Sequence, residues 1–207
     1  MNIQYGCGLS SPEGWVNFDS SPTLRLQKFP LIGACCRGGR FPDFPATVRY
    51  GNIVKGLPVD AGLADYVYCS HVLEHLALED FRCALKNTYS LLKPGGIFRF
   101  VLPDLEYYIK EYSESESKTR SIGFMTDTML GLNKRSTGLE GLLRSWIGGS
   151  KHLWMWDFLS MKEELCSAGF IEIRRAHFGD SGIKVFDDVE NLGRWGVNLG
   201  VQCCRPA

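Results

Sequence analysis

The sequence predicts an α/β fold: a doubly wound, mostly parallel sheet with an antiparallel C-terminal hairpin and a first crossover helix that is shortened or absent. Three observations predict it. Tyr5-Gly6-Cys7-Gly8 is a glycine turn close to the N-terminus, and Gly14-Trp15-Val16-Asn17-Phe18-Asp19 follows almost at once. From residue 47 strand-like and helix-like patterns alternate, as they do when crossover helices link parallel strands. Late in the chain, Phe170 to Phe178 and Val197 to Cys204 read as two strands able to pair antiparallel.

Each element has a local reason. Gly6 and Gly8 carry no Cβ, so the backbone there can bend sharply and come within contact distance of a ligand. Asp19, at the tip of the next strand, is placed to accept hydrogen bonds from ribose hydroxyls. A dinucleotide fingerprint would need a third glycine and an acid about 20 residues further on. Ser11 stands where that glycine should be and Asp19 follows Gly8 by only eleven residues, which disfavours nicotinamide and flavin cofactors. Nine residues separate Gly8 from Phe18, fewer than the dozen or more a parallel crossover uses, so a full first helix has no room.

Further along, Asp65 to Ser70 reads as a buried strand. Phe81, Ala84, Leu85, Thr88, Leu91 and Leu92 recur at helical spacing, and Lys93-Pro94-Gly95-Gly96 stops that helix as a turn. Ile97 to Leu102 is the next buried strand, ending at Pro103-Asp104. Residues 105 to 112 suit a short helix, and the polar run Ser113 to Ser121 suits a loop. The Gly-rich stretch Ile122 to Ser150 has no clean period, so residues 105–158 are expected to form an inserted lid or substrate region within one domain spanning 1–207. Ser160-Met161-Lys162-Glu163 has the pattern of a capping box opening a helix, which Gly169 closes.

Composition narrows the function classes. The 207 residues hold 23 bases and 23 acids, so no overall field attracts nucleic acid or an anionic membrane. No window reaches the ~18 apolar residues of a membrane span, and no basic region with an apolar stretch opens the chain, so a cytoplasmic location is expected. Of the eight cysteines, Cys7, Cys69, Cys83 and Cys166 lie singly in apolar patterns, where a free thiol packs as a small hydrophobe. The adjacent pairs Cys35-Cys36 and Cys203-Cys204 lack the spacer that lets two thiolates share one zinc. His71 and His75, four apart on one helical face, would suit two metal ligands, but no third is evident and no metal is expected. The plainer alternative has His75 satisfying a buried backbone group while Glu74 faces solvent.

Taken together, Gln4-Tyr5-Gly6-Cys7-Gly8, Gly14-Trp15-Val16-Asn17-Phe18-Asp19, Leu57-Pro58, Ser70-His71-Val72-Leu73-Glu74-His75-Leu76 and Leu92-Lys93-Pro94-Gly95-Gly96 resemble the class I S-adenosylmethionine-dependent methyltransferases, with their Rossmann-like sheet, over nearly the whole chain. The closest likeness is to a small subgroup with a shortened first crossover, many of whose members work in sugar or cell-envelope pathways. That subgroup also tends to carry a late stretch similar to His152-Leu153-Trp154-Met155-Trp156-Asp157. The resemblance implies S-adenosyl-L-methionine as cofactor. Gly6 and Gly8 would line its methionine end beside backbone groups of Tyr5 and Cys7, and Asp19 would hold the ribose. Where the family usually has an acid for the adenine, this chain has Asn52, beside Ile53, whose carbonyl can still accept. Ser70 and His71 would face the methionyl group.

The implied reaction is methyl transfer to a small-molecule acceptor. A hydroxyl acceptor needs a general base, for which His71, His75, Asp104 and His152 are candidates, His75 and Asp104 foremost. Trp154 and Trp156 suit equally an aromatic wall for a ring substrate or a core edge, whereas Tyr107-Tyr108 suits ordinary packing. Residues 105–158 or a second subunit of a homodimer would cover the cofactor. A non-catalytic protein of the same fold that binds the cofactor or its product is the alternative.

Overall fold

The computed structural model describes residues 1–30, 42–132 and 151–207. Seven strands form one sheet: β1 (Asn2–Tyr5), β2 (Trp15–Asp19), β3 (Arg49–Tyr50), β4 (Ala64–Ser70), β5 (Leu92–Leu102), β6 (Ile171–Ala176) and β7 (Leu199–Cys204). Their spatial order is β3-β2-β1-β4-β5-β7-β6. The first five run parallel, and β7 lies antiparallel between β5 and β6. The expected sheet and its C-terminal hairpin are both present.

Alternation along the strands divides the core in two. On one face Ile3, Tyr5, Phe18, Val67, Cys69, Phe98 and Phe100 are buried beneath α2 (Leu78–Leu91) and the later helix Phe158–Ser167. α2 presents Phe81, Ala84, Leu85, Thr88 and Leu91 to that face, and the Thr88 hydroxyl donates to the Tyr5 hydroxyl at 3.3 Å. Its acids Glu79 and Asp80 sit in the first turn, where the helix dipole favours negative charge. The helix gives way to extended backbone at Leu92, so β5 begins there and the Lys93-Pro94-Gly95-Gly96 turn lies inside the strand. Gly95 has φ +74° and donates its N–H to the Arg205 carbonyl at 3.0 Å, which ties the turn to the chain just after β7.

The first crossover has no helix: residues 6–14 link β1 directly to its parallel neighbour β2. Helix α1 (Pro22–Gln27) comes only after β2. The second sheet face is covered instead from the C-terminal side. Between β6 and β7 the connector 177–198 carries a 3-10 turn (Lys184–Asp188) and a short helix (Leu192–Trp195), which lay Phe186, Val189 and Trp195 on Trp15, Tyr68 and Val101. Phe186 meets the rings of Tyr66 at 5.4 Å and Trp15 at 5.9 Å. Arg99, on β5, is fully buried under this connector. It pairs with Glu190 and, at 2.8 Å, with Asp180, donates to the His177 carbonyl at 2.7 Å, and lies 4.5 Å from the Trp195 ring centre.

Three local expectations need correction. Helix α3 (Leu105–Glu114) runs two residues into the polar stretch and α4 (Arg120–Asp127) begins within it, leaving only 115–119 irregular. The helix α5 (Phe158–Ser167) starts at Asp157, whose carboxylate accepts from the Ser160 N–H at 2.8 Å, so Ser160 is not its cap. Gly169, φ +98°, does close it. Cys83 and Cys166 are exposed, because they fall on the outward faces of α2 and α5. The Cys35-Cys36 pair and most of the Gly-rich stretch lie outside the described residues. Among the described residues no helix is long and apolar enough to cross a membrane. The short helix Leu192–Trp195 is α6.

Candidate active site

The glycine turn is shaped by what packs on it. Gly6 adopts φ +62°, and a Cβ there would lie 2.2 Å from a Val72 methyl, so the turn rests directly on the segment leaving β4. Gly8 adopts φ +57° with open space on the side a Cβ would occupy. Its N–H donates to one oxygen of Asp19 at 2.9 Å, while the other accepts from the Ser21 N–H at 2.7 Å. Asp19 thus stands at the end of β2 beside the turn, with carboxylate lone pairs to spare. Burial, with the Asp19 charge nearby, pushes the Cys7 thiol up to about 12, which keeps it protonated and without nucleophilic character.

A cleft of about 380 Å³ opens here, lined by Gln4, Gly6, Cys7, Gly8, Ser70 and, from the connector, Arg194. The Gln4 amide oxygen is buried without a hydrogen-bond partner. A donor from water or a ligand in the cleft would satisfy it. Arg194 braces the opposite wall, donating from Nε to the Ser70 hydroxyl at 2.8 Å and from Nη2 to the Ser70 carbonyl at 2.9 Å. Sequence reasoning missed Arg194 because 124 residues separate it from Ser70. Tyr5 lies in the core, with its hydroxyl far above its ordinary pKa through burial, so only its backbone is available to the cleft. Asn52 caps the 3-10 turn Ile53–Lys55: its side-chain oxygen accepts from the Val54 N–H at 2.9 Å. Neither Asn52 nor Ile53 lines the cleft.

At the tip of β4, His71 takes φ +54°, unusual for a residue with a side chain. Its ring spans from Glu74, 3.1 Å from Nδ1, to the Arg194 carbonyl, 3.0 Å from Nε2. Glu74 does not face solvent; it is fully buried, and His75 and His152 stand close to it. The two imidazole rings are 5.0 Å apart, and His75 Nδ1 lies 2.8 Å from the Lys151 carbonyl. Burial lowers the His152 pKa and favours the neutral ring. His71 and His75 share no helix face, since His71 precedes the 3-10 turn Leu73–His75, but Glu74 and His152 supply the partners the sequence did not show.

Asp104 is the N-cap of α3, accepting from the Glu106 N–H at 2.9 Å, and its other oxygen accepts from Arg175 at 3.1 Å. Trp156 is buried and stacks on Phe81 at 4.3 Å, a core edge, whereas Trp154 is exposed. Tyr107 and Tyr108 pack edge to face at 5.4 Å.

The sequence pattern of a family described as a methyltransferase domain matches residues 36–100, from before β3 to near the end of β5. No curated protein matches the chain. Its fold is similar to that of a protein described as a methyltransferase in complex with the Haloferax volcanii Trm112 methyltransferase activator, at 18% identity and a TM-score of 0.51, covering 100% of this chain and 82% of that one. It is also similar to the CMeT domain of the citrinin polyketide synthase, at 13% identity and a TM-score of 0.50, covering 99% of this chain and 46% of that one. The fold is therefore a Rossmann-like, mostly parallel sheet similar to the sheets of these proteins, and here no helix links its first two strands.

Proposed function

We propose that the chain is an S-adenosyl-L-methionine-dependent methyltransferase acting on a small-molecule acceptor, with a sugar or cell-envelope intermediate as the candidate class. The cleft carries this reading: it sets the Gly6-Cys7-Gly8 turn against Ser70 beside an orphaned Gln4 oxygen. Gly6, Gly8 and the Tyr5 and Cys7 backbone would hold the methionine end, with Ser70 and His71 beyond it. Asp19 would accept from the ribose hydroxyls, and Asn52 and Ile53 would border the adenine. When bound, the cofactor supplies an electrophilic methyl group on sulfonium sulfur. The protein then has chiefly to hold the acceptor atom in line at about 3 Å.

For a hydroxyl acceptor we place the proton-accepting chemistry at the cluster around His75. Its Nδ1 faces a carbonyl and so carries hydrogen, which leaves Nε2 basic in the neutral ring. Asp104, the second candidate, spends its oxygens on the α3 cap and Arg175, which favours a role in positioning. Calorimetric titration with S-adenosylmethionine and S-adenosylhomocysteine tests the proposal. Micromolar affinity, about −8 kcal/mol, is expected for the chain and at least a tenfold loss for Asp19→Ala. An absence of binding to both compounds would remove the enzyme from consideration. Binding without turnover on any acceptor panel would favour a non-catalytic binder of the same fold.

A further inference from the structure

Glu74 anchors a cluster that lies outside the lining of the cleft. Three imidazole nitrogens surround one of its buried oxygens: His71 Nδ1 at 3.1 Å, His75 Nε2 at 3.9 Å and His152 Nε2 at 3.9 Å. The far nitrogens of His71 and His75 each face a backbone carbonyl, of Arg194 and Lys151. A carbonyl only accepts, so those nitrogens carry hydrogen, and in the neutral rings the near nitrogens turn lone pairs toward a carboxylate. A doubly protonated ring reconciles such groups at His71, which lies within hydrogen-bond reach of Glu74, but His75 and His152, at 3.9 Å, lie beyond that reach and leave room for a metal ion between them and the carboxylate. The second Glu74 oxygen is also buried without a hydrogen-bond partner, and the backbone of Thr128 lies against the His152 ring. An imidazole held at one nitrogen by a carbonyl and aimed with the other at a shared centre is how histidine ligands of metal sites are oriented.

We propose that Glu74, His75 and His152 bind one divalent transition-metal ion of the zinc class. Their ligand atoms all lie within 4.8 Å of one another. Bonds of about 2.0–2.1 Å set tetrahedral ligand atoms about 3.4 Å apart, so the two 3.9 Å separations from Glu74 close with shifts of about half an ångström, and the third, within 4.8 Å, with side-chain rotation of up to about 1.4 Å. Two imidazoles with one carboxylate suit zinc or its neighbours better than magnesium or calcium, which prefer all-oxygen shells. Three protein ligands leave a position open, as in catalytic zinc sites. One imidazole, His71, separates this place from the Arg194 wall of the cleft. Its use in catalysis rests on the methyltransferase proposal, whereas metal binding does not. The acceptor hydroxyl would occupy the open position and give its proton to solvent water. Its oxygen would then form the bond to the methyl carbon as the carbon–sulfur bond breaks; with metal bound, His75 is a ligand, and its role as base belongs to the metal-free chain.

Equilibrium dialysis of the chelator-stripped chain against zinc(II) or cobalt(II), with metal analysis and a cobalt visible spectrum, tests the assignment. One equivalent per chain is expected, with cobalt bands free of thiolate charge transfer. His75→Gln and His152→Ala should each weaken retention at least tenfold, while His177→Ala, outside the cluster, should retain the metal. Thermal melts of the metal-free variants identify one that fails to fold, and the other then decides. No retained metal, retention unchanged in the folded variants, or a thiolate-dominated spectrum from the cysteines would overturn the proposal. S-adenosylhomocysteine titration of the same samples reports the cofactor cleft independently, so failure of the metal site and failure of the methyltransferase proposal are told apart.

Discussion

Gly6 and Gly8 sit two residues apart in the same turn and share a left-handed backbone, yet they stand in different surroundings. Alanine at either position costs about 1–2 kcal/mol for the conformation alone. At Gly6 the new methyl also collides with Val72, adding about 1–3 kcal/mol of overpacking. Urea unfolding should therefore rank Gly6→Ala below Gly8→Ala in stability. Equal losses would mean that the turn does not bear on Val72 as described. The glycine turn, with Asp19 at the end of the next strand beside it, was legible from sequence because it is expressed within a few residues. The meeting of Glu74 with His152 was not, since a carboxylate beside two histidines looks like a solvated face until the fold brings position 152 against position 74.

At the scale of elements, the connector 177–198 does the work of the missing crossover helix. Phe186, fully buried at its centre, should cost about 3–5 kcal/mol when changed to alanine. Arg99→Met leaves Glu190 buried without its cation and should cost a similar amount, about 3–5 kcal/mol. A double Arg99→Met/Glu190→Leu variant should recover part of that loss, and a double no better than the single would argue against a dominant ion pair. Acid should loosen the same segment. Burial alone would raise the Asp180 carboxyl, but hydrogen bonds from Arg174, the His177 backbone and Arg99 hold it down at about 2. A depressed carboxylate stabilises the fold above its unfolded pKa of about 4 and loses that contribution as pH falls toward about 2. Asp180→Asn should flatten the acid limb of a stability profile between those limits. A limb of unchanged slope would place the acid sensitivity elsewhere.

Across the whole molecule, the sheet was readable and its second layer was not. Strand and helix periods around Ala64–Leu102 are strong because both faces of the segment pack on neighbours in sequence order. The connector carries no period, being a 3-10 turn and a four-residue helix, and its buried residues find partners far away in sequence. The short β1–β2 link announced an absent helix, but nothing near it tells what fills the space. This has a consequence for how the chain is made. Synthesis runs from the N-terminus, so the turn holding Gly6 and Gly8 emerges long before Arg194, which completes the wall facing it. Until then Trp15 and Tyr68 have no cover, and the chain has the floor of its cleft long before it has the far wall.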